Sequence, residues 1–364
     1  MFSTLPIPII QAPMAGGVST PKLAAAVSNA GGLGFLAGGY KTAEAMRKEI
    51  HKLRTLTDRP FGVNVFVPGD KTVDEKALER YRAVLESEAE RLGASVGEPK
   101  WEDDDWEAKF DVLLEERVPV VSFTFGCPDK EVIAALQKAG SFVMVTVTSK
   151  EVIAALQKAG SFVMVTVTSR EEACMAAEAG ANALCVQGEE AGGHRASFGN
   201  DPKKDGALEL FPLLAQVRTA VRIPLVAAGG IMDGRGIAAA LKAGASVVQL
   251  GTAFLRCPES GAHPLHKQAL ADPRFVETAV TRAFTGRPAR GLVNRFMAEY
   301  RALAPAAYPH VHHMTKPLRA ASAKAGDPEG MSLWAGTGYR LARELPAAEL
   351  VEELKRELEE AWRK

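Results

Sequence analysis

The chain has 364 residues, in which 44 lysines and arginines balance 44 aspartates and glutamates. A net charge of zero gives no indication of nucleic acid or an anionic membrane as a partner, so a small molecule is the better expectation. The four cysteines are too dispersed for a disulfide framework or a zinc site, and with no secretory signal and no apolar run of the ~18 residues that a membrane span needs, we expect a cytoplasmic protein.

Apolar runs of strand length alternate with amphipathic runs of helix length along most of the chain. This alternation is typical of a parallel sheet in which each strand is followed by a helix. The predicted strands are residues 7–14, 33–37, 61–67, 119–125, 141–148, 183–187, 224–228 and 246–251. Eight such strands predict an α/β fold, a (β/α)8 TIM-like barrel.

The remaining residues suggest how the chain is divided. The barrel is expected to comprise residues 1–70 and 118–260. The polar stretch 71–117 interrupts this pattern and predicts a helical insertion with two helices, and residues 261–364 are expected to form a substrate-covering and C-terminal helical region.

One segment of the chain occurs twice. Residues 130–149 read KEVIAALQKAGSFVMVTVTS, and residues 150–169 repeat them without a difference. Each copy is one helix plus one strand, so an extra copy preserves the direction of the chain, but a ninth strand would break the layered interior of an eight-stranded barrel. We therefore expect only one of 142–148 and 162–168 in the barrel wall. The other would be displaced outward as an exposed apolar strand that favours association, and a monomer and a homodimer both stay open.

Two neighbouring strands in the second half of the chain end in glycine. Gly229 and Gly230 follow one of them, and the next ends at Gly251, which Thr252 follows. The loops after the seventh and eighth strands of a barrel frequently bind phosphate, because glycine exposes backbone N–H groups there. Asp233 is placed to cap the following helix. The alternative is that these glycines only allow helix and strand to pack closely.

The first half of the chain offers two residues that suit a planar ring. Met14 lies where a strand ends in small residues, and Asn64 is a polar residue near the end of an apolar strand. The amide of Asn64 could bond both donor and acceptor edges of a flavin ring. Core packing for Met14 and a satisfied turn amide for Asn64 are the alternatives. No strand is followed by the GxGxxG loop and later acidic residue of a Rossmann NAD site, which disfavours such a site.

A histidine follows two glycines after another predicted strand. Gly192 and Gly193 let the chain turn sharply and place His194 where a flat ligand could lie against bare backbone. This pattern indicates a catalytic base beside a cofactor, although an ordinary loop histidine has the same local sequence.

Six motifs occur in order along the chain: QAPMAGGVS at 11–19, GFLAGGY at 34–40, FGVNVFVP at 61–68, QGEEAGGHR at 187–195, AGGIMD at 228–233 and QLGTAFL at 249–255. With them the chain closely resembles the class I nitronate monooxygenases, formerly called 2-nitropropane dioxygenases, which are FMN-dependent barrel enzymes. The resemblance covers nearly the whole chain. It implies oxidation of alkyl nitronates, such as propionate 3-nitronate, by FMN and O₂, giving a carbonyl compound and nitrite.

The resemblance also implies roles for single residues, and it implies no metal. His194 matches the active-site histidine, which either takes a proton from a neutral nitroalkane or holds the anionic nitronate. Lys316 and Tyr339 lie in a tail segment that resembles the family's region closing over the substrate, where Thr337 departs from the expected glutamine. The positions that match FMN-binding residues are Met14, Asn64, Gln187, Gly192, Gly230, Gln249, Gly251 and Thr252.

Two other functions stay open. An FMN-dependent enoyl-thioester reductase resembles this family in its glycine–histidine motif, but it takes hydride from NADH or NADPH. The repeat also lies directly upstream of the histidine motif. If it shifts the register of the barrel, the chain would be a non-catalytic flavin-binding protein.

Overall fold

The helices surround and cover a parallel barrel in the computed structural model, which describes residues 5–69, 71–125, 135–136, 138–145, 164–178, 181–201 and 207–363. Within those ranges the helices are α1 (Pro21–Asn29), α2 (Ala43–Arg54), α3 (Glu75–Leu92), α4 (Trp106–Glu115), α5 (Arg170–Glu178), α6 (Leu210–Ala220), α7 (Gly234–Lys242), α8 (Pro264–Ala269), α9 (Arg295–Tyr300), α10 (His310–Lys324) and α11 (Ala347–Arg363). No described helix is both long enough and apolar enough to cross a membrane.

The strands form two parallel sheets and one small antiparallel sheet. They are β1 (Ile9–Gln11), β2 (Phe35–Ala37), β3 (Gly62–Phe66), β4 (Val120–Thr124), β5 (Phe142–Val145), β6 (Met164–Val167), β7 (Ala183–Gln187), β8 (Gly193–His194), β9 (Leu225–Ala228), β10 (Val247–Leu250), β11 (Thr278–Thr281) and β12 (Ala289–Leu292). The parallel sheets have the orders β1-β10-β9-β7-β6 and β2-β3-β4-β5, and the antiparallel sheet has the order β11-β12-β8.

The two parallel sheets meet at both ends. Leu33, just before β2, forms a parallel bridge with Ile10. Its N–H donates to Ile9 O at 3.0 Å, and its carbonyl accepts from Gln11 N–H at 2.9 Å. At the other end, Cα atoms of β5 and β6 lie within 8 Å of each other. The predicted α/β barrel is confirmed, and every predicted strand segment contains a strand.

Both copies of the repeat contribute a paired strand. β5, from the first copy, pairs with β4, and β6, from the second copy, pairs with β7. The prediction that one copy is displaced outward is therefore wrong, and the described residues give nine parallel strands. The physical reason is that each sheet offers an edge at which an apolar strand can satisfy its backbone N–H and C=O groups. Residues 130–134, 137 and 146–163 of the repeat lie outside the described residues.

The barrel interior changes from apolar to polar toward the carboxyl ends of the strands. Its apolar part is one buried cluster, made of Ile10, Leu33, Phe35, Val120, Met164, Ala183, Cys185, Val226, Ala228 and Val247. Side chains alternate along a strand, so Asn64, Ser122, Gln187 and Gln249 continue the inward-facing rows above this cluster. A polar layer at the carboxyl end of the strands is where barrel enzymes carry their sites.

Two helices from other regions hold the loop between β11 and β12 over this end of the barrel. From α3, in the predicted insertion, the Tyr81 hydroxyl donates to Ala283 O at 2.7 Å. From α10, the Thr315 hydroxyl donates to Phe284 O at 2.6 Å. The loop that follows Phe284 is therefore fixed from both sides.

Candidate active site

The histidine motif is fixed by the side chain of Gln187, the last residue of β7. Gln187 Nε2 donates to His194 O at 3.2 Å, and Gln187 Oε1 accepts from Ala196 N–H at 2.9 Å. His194 also lies opposite Ala289 in the β8–β12 ladder. Gln187 thus anchors the loop that carries His194, and its contact with FMN stays a prediction.

The imidazole of His194 is enclosed by a hydroxyl and three aromatic rings. His194 Nε2 lies 2.9 Å from Thr285 Oγ1. The ring centroids of Phe125, Trp334 and Tyr308 lie 5.3, 5.7 and 6.1 Å from that of His194. One imidazole nitrogen therefore has a fixed neutral partner.

The surroundings of His194 keep its ring neutral. Burial, and to a smaller extent the positive charges of Arg287 and Arg319, lower the pKa of His194 from 6.5 to about 3. The hydroxyl of Thr285 supplies no negative charge that would favour the imidazolium. In the site as it stands, His194 is an uncharged hydrogen-bonding group at neutral pH.

Arg287 and Arg319 bring positive charge to the site. Arg287 Nη2 donates to Ser197 O at 3.0 Å, and its guanidinium lies 4.8 Å from the centroid of the Phe125 ring. Arg319 Nη2 donates to His312 O at 3.1 Å. In the described part of the chain neither guanidinium pairs with a carboxylate, and the Nε of each is buried without a hydrogen-bond partner. A bound anion would give the two guanidinium groups a charged hydrogen-bond partner.

Burial also changes the proton affinity of the two guanidinium groups. It lowers the pKa of Arg287, and it lowers the pKa of Arg319 from 12.5 to about 10. With a pKa of about 10, Arg319 remains charged at neutral pH, and a guanidinium keeps its proton in proteins generally. The charge of both groups acts in surroundings from which water is largely removed.

Two aromatic residues of the site have left-handed backbone conformations. Tyr40, after β2, has φ 64°, and Phe125, after β4, has φ 73°. Bulky residues rarely adopt this conformation, and such strain is concentrated at functional sites. The Tyr40 ring stacks on His312 at 4.2 Å, and the hydroxyls of Tyr40 and Tyr308 lie 3.2 Å apart. These contacts join the barrel to α10 beside His194.

The predicted phosphate loops present backbone N–H groups that have no acceptor among the described residues. Gly229 and Gly230 have φ 120° and 68°, a region that favours glycine. The N–H groups of Gly229, Gly230, Gly251 and Thr252 donate to no acceptor within the described ranges. These groups fit the phosphate of a cofactor.

The first N–H groups of α7 are already partnered, so they do not belong to this set of donors. Asp233 caps the helix as predicted, because its Oδ1 accepts from Gly236 N–H at 2.7 Å. Glu357 Oε2 accepts from Gly234 N–H at 2.8 Å. On this loop the donors available to a phosphate are therefore the N–H groups of Gly229 and Gly230, which precede the helix.

A C-terminal segment packs directly over these loops. Gly336 N–H donates to Thr252 Oγ1 at 3.0 Å, and Thr337 N–H donates to Glu190 O at 3.0 Å. A Cβ at Gly192 would lie 2.5 Å from Gly336 N, so only glycine allows this approach. The structure thus gives Gly192 a packing role.

The other predicted cofactor residues lie at the same end of the barrel. Asn64 Nδ2 donates to Ser122 Oγ at 2.9 Å and to Thr124 Oγ1 at 3.0 Å, which engages both of its amide hydrogens. A Cβ at Gly251 would lie 3.7 Å from Met14 Sδ, so Met14 borders the loop after β10. Asn64 keeps its carbonyl oxygen for a ligand, and the FMN contacts of Met14, Asn64 and Gln249 stay predictions.

The two predicted substrate residues occupy different surroundings. Lys316 is exposed on α10. Tyr339 is 3% exposed, and its hydroxyl donates to Phe275 O at 2.6 Å. That bond uses the only hydrogen of the hydroxyl, so Tyr339 has a structural role here. Substrate contact by either residue stays a prediction.

Sequence reasoning missed the residues that give the site its charge and orientation. Thr285, Arg287 and Arg319 reach His194 from positions about 90 to 125 residues further along the chain. No local pattern marks them, because the contacts depend on the hairpin β11–β12 and on α10. Among the described residues, no group of three or more His, Cys, Asp or Glu side chains is arranged to hold a metal ion.

Comparison with known protein sequences gives one family. The sequence profile described as "Nitronate monooxygenase" matches residues 2–152 and 147–357, and each matched segment contains one complete copy of the repeat. The nitronate monooxygenase of Pseudomonas aeruginosa is 43% identical over 364 residues, covering 96% of this chain and 96% of that protein. A probable nitronate monooxygenase of Bacillus subtilis is 37% identical, covering 95% of this chain and 94% of its own.

Comparison with solved structures gives two informative likenesses. A nitroalkane oxidase from Streptomyces ansochromogenes has 55% sequence identity and a TM-score of 0.89, covering 99% of this chain and 98% of its own. FabK from Thermotoga maritima has 31% identity and a TM-score of 0.68, covering 97% of this chain and 93% of its own. The fold is thus shared along nearly the whole length of both proteins.

Proposed function

The chain belongs to the nitronate monooxygenase family, and we propose that it oxidises alkyl nitronates with O₂ on a bound flavin, giving a carbonyl compound and nitrite. One observation carries the proposal: a neutral histidine lies beside two arginines that no described carboxylate balances. Such a positive pocket suits a small anion. A nitronate is an anion of this kind, because its negative charge is spread over the nitro oxygens and the adjacent carbon.

The low pKa of His194 favours a preformed nitronate over a neutral nitroalkane as substrate. A general base works best when its pKa lies near the operating pH. With a pKa of about 3, His194 is a weak base for removing a proton from carbon. We assign it instead to hydrogen bonding with the bound nitronate, while Arg287 and Arg319 supply the positive charge.

Thr285 positions the imidazole for this role. Its hydroxyl is hydrogen-bonded to His194 Nε2, so the imidazole ring cannot rotate without losing that hydrogen bond. The other nitrogen is then available to the substrate. Phe125, Tyr308 and Trp334 surround the ring and restrict access of water.

The cofactor is a flavin, and we propose FMN. Its phosphate would be held by the N–H groups of Gly229, Gly230, Gly251 and Thr252, which have no acceptor within the described ranges. A flavin bound there would supply the electron transfer from the nitronate to O₂. Asn64 Oδ1 and the side chain of Met14 would border the ring.

Reduction of an enoyl thioester with NADH or NADPH is the competing function, and the likeness to FabK, at 31% identity against 55% for the nitroalkane oxidase, supports it only weakly. The third possibility, a protein disabled by the repeat, finds no support in the histidine motif: β7 pairs with both β6 and β9, and β8 pairs with β12.

Oxygen uptake separates the functions. We expect purified protein to consume O₂ and release nitrite with ethyl nitronate. Oxidation of NADH or NADPH with an enoyl thioester, but no nitrite from the nitronate, would establish the reductase.

A further inference from the structure

Each copy of the repeat supplies one strand, and within the described residues each of these strands pairs with one neighbouring strand. β5 pairs with β4 through Phe142, Val143, Met144 and Val145. β6 pairs with β7 through Met164, Val165, Thr166 and Val167. β5 and β6 stand at the ends of their two sheets and lie next to each other.

A single copy of the repeat contains the residues that both ladders use. The copies are offset by 20 residues (130 to 150), so Met164 and Val165 of β6 are the equivalents of Met144 and Val145 of β5. In the ladder with β4, the methionine and valine of the first copy pair with Ser122 and Phe123. In the ladder with β7, the methionine and valine of the second copy pair with Ala183 and Leu184.

A strand in a parallel sheet can form both ladders at once. The N–H and C=O groups of successive residues point to opposite edges of a strand, so pairing at one edge leaves the other free. One copy of Phe-Val-Met-Val-Thr-Val thus carries all the residue types needed to join β4 to β7 in the observed registers. The family profile is consistent with this, since each of its matched segments contains one complete copy.

We propose that the two copies are interchangeable: either one can provide the strand between β4 and β7, and the other is redundant. Folding then requires one intact copy. A substitution that prevents a copy from entering the barrel is harmless when confined to one copy, and it is destructive when both copies carry it.

Val165 provides the test position. It is fully buried in the large apolar cluster between the sheet and the outer helices. An aspartate there would place an unpaired carboxylate among apolar side chains, which strongly destabilises the fold. Val145 is the equivalent residue in the first copy, so Val145→Asp and Val165→Asp are a matched pair.

The experiment compares five proteins: the full chain, Val145→Asp, Val165→Asp, the double variant, and a chain that lacks residues 150–169. Deleting 130–149 instead gives the same sequence, so one deletion covers both copies. A sixth protein carries Val145→Asp in the shortened chain. Far-ultraviolet circular dichroism and the thermal unfolding midpoint measure folding independently of the proposed function.

Interchangeable copies predict that both single variants and the unmutated shortened chain fold like the full chain. The double variant and the mutated shortened chain lose the unfolding transition. If Val165→Asp alone unfolds the protein, the second copy has a fixed place and the proposal is overturned. A shortened chain that does not fold, or a double variant that does, overturns it as well.

Discussion

His194 Nε2 lies 2.9 Å from the hydroxyl of Thr285, which comes from a loop 91 residues further along the chain. That loop is itself held by hydrogen bonds from α3 and α10 to Ala283 and Phe284. The orientation of the imidazole therefore depends on the insertion and the C-terminal region as much as on the barrel.

Removing the Thr285 hydroxyl tests this dependence. Thr285→Val keeps the shape of the side chain but leaves His194 Nε2 without its partner. A lost hydrogen bond of about 1.4 kcal/mol corresponds to a tenfold fall in kcat/KM for a nitronate. Thr285→Ser, which retains the hydroxyl, should stay close to the unmodified protein. Equal activity of the valine and serine variants would show that the hydroxyl does not position His194.

The arginine pair is tested by removing one charge at a time. Arg287→Gln and Arg319→Gln should each lower kcat/KM for a nitronate about tenfold to a hundredfold, because hydrogen bonds to charged groups contribute about 1.5 to 3 kcal/mol. Steady-state oxygen uptake measures the effect. Arg301→Gln changes an exposed arginine and is the control. If all three variants retain full activity, the pocket does not use its positive charge to bind the substrate.

Gly230 tests the phosphate loop. Alanine at Gly230 would have to adopt φ 68°, and its Cβ would lie 3.1 Å from Glu190 Cβ. We expect Gly230→Ala to weaken flavin binding about tenfold, which is about 1.4 kcal/mol. Gly93, with φ 58° at the end of α3 and open space around its Cβ position, is the matched control. Gly93→Ala should cost stability but leave the flavin dissociation constant unchanged; an equal loss of affinity in both variants would refute the assignment.

His266 should make the stability of the protein depend on pH. Its Nε2 lies 3.1 Å from Trp334 O, and burial lowers its pKa from 6.5 to about 4. Between these two values the unfolded chain binds more protons, so the free energy of unfolding falls as pH falls, by about 1.4 kcal/mol per pH unit for this group. Denaturant unfolding of the protein and of His266→Gln measures the difference. The unmodified protein should lose stability more steeply below pH 6.5, and parallel curves would contradict the prediction.

The positions of the strands could be predicted from the sequence because each apolar run is bounded by glycine or polar residues. Asp233 could be assigned for a similar reason, since its capping bond to Gly236 is local. The position of Arg319 beside His194 is not a local property: it depends on how α10 packs against the barrel. No periodicity or motif of the sequence contains that information.

The fate of the repeat could not be predicted for a different reason. The two copies are identical, so no residue within them distinguishes the strand that pairs with β4 from the strand that pairs with β7. The layered interior of an eight-stranded barrel argued against a ninth strand. Backbone pairing at the edges of both sheets outweighed that argument, and Met164 joined the interior cluster.

The most direct test of the proposed function is reduction of the bound flavin in the absence of oxygen. Purified protein is mixed anaerobically with ethyl nitronate, with neutral nitroethane, or with NADH or NADPH, and the flavin absorbance is followed. A neutral, weakly basic His194 beside two charged arginines predicts rapid bleaching by the nitronate, much slower bleaching by nitroethane, and none by the nicotinamides. Rapid bleaching by NADH or NADPH, or equal rates with nitroethane and its nitronate, would contradict this account.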